Sequence, residues 1–378
     1  MFITSQQDVG VRPELESMTA YQPGESLIAF SARTGIPIHR IIKLNSNESP
    51  YGPVPSAIEA LGDYKNYNNY PDNDATTLRA ALSDYTGLEC SHIVLSHGSN
   101  ELINLLWHIF LSVGDTIICC PPTFSLYTSI TSFCGASVIE VPRTNEFEID
   151  VEDVLSALAP STKLIVICSP NNPTGNPIAE SDVLALLKSG RIVVIDEAYV
   201  EFSQHSGGFA HLVPRYRNLV VLRSFSKWAG LAGLRIGYGL FPAWIANYML
   251  QAQCPFEVNV AGQIAAIETL MHLEQVLANV QRITQERERL FEMLKTQSYL
   301  TPFPSQGNYI LARLNDGNVK IEQLRTIVEE NGILLRYFQK PSMYNFFRIT
   351  VGLPEHTDLL AQALERIRSK QTGLLQGF

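Results

Sequence analysis

The sequence predicts an α/β protein: a large domain on a mostly parallel, doubly wound sheet, with a smaller α/β domain at the C-terminal end. Three observations carry this. Apolar runs of three to six residues recur between about 93 and 240, separated by stretches with helical spacing. Those runs are apolar throughout rather than alternating, as strands covered on both faces must be. Finally, 378 residues are too many for one small core, while a composition of 46% hydrophobic and 17% charged residues is that of an ordinary globular chain.

Residues 1–45 show little periodicity and read as an arm that packs with the small domain. The large domain is expected over 46–265 and the small one over 266–378. A helix over 76–85 leads into a strand at 93–95, then a Gly98-Ser99-Asn100 turn opens a helix to about 111. Strands follow at 116–120 and 137–141, an amphipathic helix at 151–158, and strands at 163–168, 192–195, 219–222 and 236–240. A long helical stretch over 258–295 is broken once or twice. The second unit begins with an apolar segment at 308–313. It continues with a helix at 321–331, strands at 333–337 and 346–351, and a closing helix from about 356.

The net charge of −9 gives a field that repels phosphate backbones, which argues against nucleic acid as a partner. A small anion remains compatible, because a few local arginines outweigh a weak global field. The six cysteines form no CxxC pair, and several sit in apolar runs, so a reducing compartment is expected. The start of the chain lacks a basic patch followed by an apolar stretch, and no apolar run approaches the roughly 20 residues that span a bilayer. A cytoplasmic protein without membrane contact is the expectation. The eight histidines show no HExxH or other ligand spacing, so no metal site is expected.

Ligands of open parallel sheets bind beyond the carboxyl ends of the strands. The run at 192–195 is followed by Asp196-Glu197-Ala198-Tyr199, and that at 219–222 by Arg223-Ser224-Phe225-Ser226-Lys227. The run at 163–168 is followed by Ser169-Pro170-Asn171-Asn172-Pro173-Thr174-Gly175. A carboxylate, a lysine, an amide and a helix start should therefore share one rim. A helix N-terminus favours a phosphate. Hydroxyls of Ser224 and Ser226, with Arg235 as counter-charge, would complete a phosphate cup. A lysine desolvated near cations has a lowered pKa and can form a Schiff base, and a carboxylate at Asp196 would keep a pyridine nitrogen protonated. These are the needs of pyridoxal phosphate (PLP).

The same residues carry a family resemblance. Asn171 to Gly175, Asp196 to Tyr199, Ser224-Phe225-Ser226-Lys227 and Arg235-Ile236-Gly237 occur in that order, with Lys227 and Arg235 eight residues apart. This resembles the class I/II aminotransferases, PLP-dependent transferases of fold type I. The segment Lys43-Leu44-Asn45-Ser46-Asn47-Glu48-Ser49-Pro50-Tyr51-Gly52-Pro53 narrows it toward the histidinol-phosphate aminotransferases. So do Ala20 to Gly24, Tyr70-Pro71, Cys120 to Phe124, Asn308 to Arg313, Leu334-Leu335-Arg336 and Phe347 to Gly352.

The resemblance implies that Lys227 is the Schiff-base lysine and proton carrier, and that Asp196 pairs with the pyridine nitrogen. It places Tyr199 and Asn172 at the ring hydroxyl. Ser99, Asn100, Ser224, Ser226 and Arg235 would hold the cofactor phosphate. Tyr70 would reach that phosphate from the other subunit of a homodimer. Tyr21, Asn172, Arg336 and Arg348 would bind substrate. Phe124 stands where a ring-stacking tyrosine is common; stacking needs only a π-face. The substrates implied are an amine phosphate, histidinol phosphate, and 2-oxoglutarate or glutamate, in L-histidine biosynthesis. A related aminotransferase for aromatic or other amino acids, or a threonine-phosphate decarboxylase, fits the same motifs. Simpler roles exist too. Asp196 suits a helix cap, the 171–175 segment suits a turn, Tyr21 and Tyr70 suit packing, and Arg336 and Arg348 suit ion pairs.

Overall fold

A computed structural model describes residues 10, 12, 15, 21–204, 207–315, 317 and 319–375. Most of the first twenty residues, Ala20 among them, lie outside the described residues, and so does that part of the expected arm.

Twelve strands are described: β1 (Ile42–Leu44), β2 (Ile93–Ser96), β3 (Thr116–Cys119), β4 (Ser137–Glu140), β5 (Thr162–Cys168), β6 (Ile192–Asp196), β7 (Leu219–Ser224), β8 (Gly237–Leu240), β9 (Leu300–Pro302), β10 (Tyr309–Leu314), β11 (Ile333–Tyr337) and β12 (Phe346–Thr350). Seven form one sheet in the order β2-β8-β7-β6-β5-β3-β4. Strands β7, β6, β5, β3 and β4 run parallel, and β8 runs antiparallel to both its neighbours.

The sheet is covered on both sides, which explains its apolar strands. Successive side chains point to opposite faces. Val193 and Ile195 join a core with Ala57, Leu78, Leu82 and Ala265. Val194 joins another with Leu102, Leu106, Trp107 and Ile245. Helices Pro55–Asp63, Thr76–Thr86 and Val260–Met271 thus cover one face, and Ser99–Phe110 and Ala243–Ala252 the other. Strand β4 has one neighbour and is only half-covered, as an edge strand is.

A second sheet has the order β1-β11-β12-β10-β9, antiparallel except for β1 against β11. Helices Leu273–Lys295, Ile321–Glu330 and Pro354–Leu375 pack with it. The expected break in the long helical stretch falls at His272. Two three-residue strands, β1 and β9, were not expected, being too short to show a pattern. Nor was helix Leu27–Thr34, which buries only Phe30 and so has no apolar stripe. Its ends were nevertheless written: Ser26 Oγ accepts from the Ala29 N–H at 3.1 Å, and Gly35 closes the last turn. Among the described residues no helix is long and apolar enough to cross a membrane.

Candidate active site

Cys168 pairs with Asp196 and Asp196 with Leu222, so β5, β6 and β7 end in register and their loops open on one rim. The rim faces a cavity of about 1500 Å³ closed on its other side by Arg336, Phe346 and Arg348 of the second sheet. The loops are tied below the rim. Glu197, one past Asp196, and Arg223, one before Ser224, form a buried ion pair at 2.8 Å. Breaking such a pair would leave a buried charge uncompensated.

Asp196 is buried at the cavity floor. Its Oδ2 accepts from the Tyr127 hydroxyl at 2.7 Å and its Oδ1 from the Ala198 N–H at 3.1 Å. Burial raises its pKa above the usual carboxylate range, and the Tyr127 bond opposes the rise. Lys227 sits between two anchors, Phe225 and Trp228, both fully buried. Its Nζ donates to the Ser46 carbonyl at 2.9 Å. Burial, then the nearby Arg348 and Arg235 guanidiniums, bring this amine down to about 8.

The Ser99–Phe110 helix begins at the same rim, after Gly98 with φ +84. A Cβ at Gly98 would stand 2.5 Å from Arg235 Nη2. Only glycine lets the guanidinium come this close to the helix start. Ser99, Asn100, Ser224, Ser226 and Arg235 all line the cavity there. The result is a cradle of donors and one cation.

Asn171 fastens its turn by bonds to Pro122 O at 2.9 Å and Thr174 Oγ1 at 2.8 Å, which leaves Asn172 facing the cavity. Arg348 donates to Asn172 Oδ1 and, at 2.8 Å, to the Asn45 carbonyl. Among the described residues its Nε is buried without a partner, and burial lowers its pKa. Tyr199 meets Asn47 Nδ2 at 3.0 Å. Arg336 reaches the Gln22 carbonyl at 2.8 Å, and Tyr21 packs edge-on to Phe124 at 5.7 Å. Tyr70 stands apart: it does not line the cavity of its own chain, is 80% exposed, and stacks on Phe256 at 4.4 Å.

The family model for "Aminotransferase class I and II" matches residues 39–367. The chain belongs to the class I and II aminotransferases. A histidinol-phosphate aminotransferase of Roseiflexus castenholzii is 42% identical over 364 residues, covering 94% of this aminotransferase and 98% of that protein. Histidinol-phosphate aminotransferase 1, chloroplastic, of Arabidopsis thaliana is 40% identical, covering 95% and 86%. Among solved structures, histidinol-phosphate aminotransferase from Sinorhizobium meliloti in complex with pyridoxal-5'-phosphate overlays with a TM-score of 0.85, 24% identity and coverage of 95% and 98%. L-threonine-O-3-phosphate decarboxylase from Porphyromonas gingivalis overlays with a TM-score of 0.76, 23% identity and coverage of 87% and 100%. Both overlays show the shared fold.

Enzymes of this family use PLP, and the residues of this aminotransferase fit it on three counts. A buried carboxylate suits a ring nitrogen, the hydroxyls and amide that line the cavity with Arg235, which only a glycine at 98 admits so close to the helix start, suit a phosphate, and a buried amine of lowered pKa lines the same cavity. Tyr127 and Asn47 went unrecognised in the sequence. Tyr127 lies in no motif. Asn47 lies in the 43–53 segment, but only the fold shows that its amide meets Tyr199.

Proposed function

We propose that this aminotransferase moves the amino group of histidinol phosphate to 2-oxoglutarate in L-histidine biosynthesis. The observation that carries the reading is Lys227, a buried amine lowered to about 8 that shares a cavity with Asp196 and two arginines of the second sheet. The substrate follows from relatives at 40–42% identity over most of the chain, which share one name.

PLP, when bound, supplies the electron sink for a carbanion beside nitrogen. The chain's own residues do the rest. Lys227 Nζ would hold the cofactor and would take the proton from the carbon bearing the amine. General base transfer of this kind contributes roughly 10²–10⁴-fold. Asp196 keeps the ring nitrogen protonated, a charge-assisted bond of about 1.5–3 kcal/mol. Asn172 and Tyr199 bind the ring hydroxyl, and Phe124 covers the ring. Ser99, Asn100, Ser224, Ser226 and Arg235 hold the phosphate. Arg348, Arg336 and Tyr21 bind the substrate anion, phosphate ester in one half-reaction and carboxylate in the other; the guanidinium fork suits both.

The working unit is a homodimer in the cytoplasm, with Tyr70 reaching the partner's cofactor phosphate; its exposure in the single chain supports this. The division into arm 1–45, large domain 46–265 and small domain 266–378 belongs to the same reading. It is tested by assaying histidinol phosphate with 2-oxoglutarate beside phenylpyruvate and threonine phosphate. A kcat/KM highest for histidinol phosphate is expected. A preference for an aromatic partner, or carbon dioxide release from threonine phosphate, would replace the substrate assignment.

A further inference from the structure

We propose that Asn47 is a positioning residue that fixes the direction of the Tyr199 hydroxyl proton, turning it away from Asn47 and into the cavity that both residues line. The inference rests on the reading of Tyr199 as the partner of the cofactor's ring hydroxyl.

Asn47 is 1% exposed and holds a left-handed backbone, φ 53. Asparagine accepts that conformation better than most residues. Its hydrogen bonds form a chain with a fixed sense. The chain starts at the Asn47 backbone N–H, which can only donate, and which donates to Thr350 Oγ1 at 2.9 Å. The Thr350 hydroxyl then has its own proton free for Asn47 Oδ1, 3.2 Å away. With Oδ1 committed as acceptor, the amide Nδ2 faces Tyr199 Oη at 3.0 Å. An amide nitrogen only donates. The Tyr199 oxygen therefore accepts, and its proton must point elsewhere.

The segment is also held from outside. Asn308 Nδ2 donates to the Asn47 carbonyl at 3.1 Å, the adjacent Ser46 carbonyl takes the Lys227 amine, and the Asn45 carbonyl takes Arg348. Thr350 lies two residues beyond Arg348 on β12. One short stretch of chain thus connects the second sheet to Tyr199 and Lys227 together. A hydrogen bond donated to an oxyanion lowers its proton affinity. Tyr199 aimed in this way keeps low the pH at which the bound cofactor gives up its proton.

The test is a pH titration of the visible absorption of PLP-loaded protein. Asn47→Asp tolerates the same backbone but offers Tyr199 an acceptor, so the phenolic proton turns back. The midpoint should rise by about one pH unit. Thr350→Val keeps the shape, adds no charge, and releases the amide to flip. It should move the midpoint the same way by less, while Thr350→Ser should restore the wild-type value. A midpoint unchanged in Thr350→Val overturns the proposal, whether or not Asn47→Asp shifts, because the aspartate alone adds a charge. Wild-type protein that takes up no PLP would instead remove the reading of the site on which the proposal stands.

Discussion

The Tyr127 hydroxyl donates to Oδ2 of Asp196 at 2.7 Å, and both side chains are buried. Burial pushes the Asp196 carboxyl toward its neutral form, and this bond is the first of the interactions that hold it ionised. A neutral Asp196 cannot hold a pyridinium proton. Tyr127→Phe removes the bond and keeps the ring that packs edge-on to Phe124 at 5.6 Å. A bond to a charged group is worth about 1.5–3 kcal/mol, so kcat should fall about tenfold or more. The PLP dissociation constant, read from absorbance titration of the apoprotein, should rise as well. Unchanged values for both would mean that Ala198 N–H suffices.

Lys227→Ala should abolish turnover while PLP still binds without a covalent link. In the wild type, borohydride reduction and peptide mapping should place the label on Lys227. The lowered amine also predicts a pH dependence. Its value of about 8 in the folded chain lies below the ordinary 10.5, so the unfolded chain binds more protons between those limits. The stability this group contributes is therefore present above 10.5 and lost as pH falls through 8. The free-base fraction follows the same midpoint. Stopped-flow capture of PLP by the apoprotein should accelerate up to about pH 8 and then level off. A rate still climbing at pH 10 would place the amine in water.

Arg348 donates to Asn172 Oδ1, and among the described residues its Nε is buried without a partner; on the proposed reading it serves the substrate while touching a residue of the cofactor's set. Arg348→Ala should raise KM for histidinol phosphate and for 2-oxoglutarate together, by about 10²-fold for the loss of a buried charge-assisted contact. Cofactor affinity should change little. Arg348→Lys should recover only part, because the ammonium lacks the fork. Loss of cofactor with unchanged KM would move Arg348 to the cofactor's set.

How far the sequence carried this depended on which signals are local. Strands β5, β6 and β7 were legible because a strand covered on both faces is apolar throughout; Asp196 and Ser224 are the last residues of β6 and β7, and Lys227 stands just past β7. Asn172 was legible through its turn. Tyr127 was not, because it lies in a short helix, Leu126–Phe133, and meets Asp196 across 69 positions of sequence. Asn47 shows no role in the sequence alone, because its contacts to Thr350 and Asn308 join segments far apart in the chain. The arm's helix and β1 buried too little of their own to announce themselves; β1 takes its place only by pairing with β11.

Glu201 offers a test of the buried charges around Arg223. It lies two residues past Tyr199 and is 5% exposed, and neither oxygen reaches another residue's donor among the described residues. Burial raises it to about 8. Arg223 on β7 opposes the rise and Glu197 adds to it, with Tyr85 and Tyr238 as the phenols nearby. A folded value above the ordinary 4.5 means that the native chain binds the extra proton, so stability is fully present below 4.5 and lost as pH climbs through 8. Glu201→Gln keeps the shape and cannot ionise. Its melting temperature should lie close to that of the wild type at pH 5 and above it at pH 9, with the gap opening between. Parallel melting curves across that range would show that Arg223 already neutralises the carboxylate.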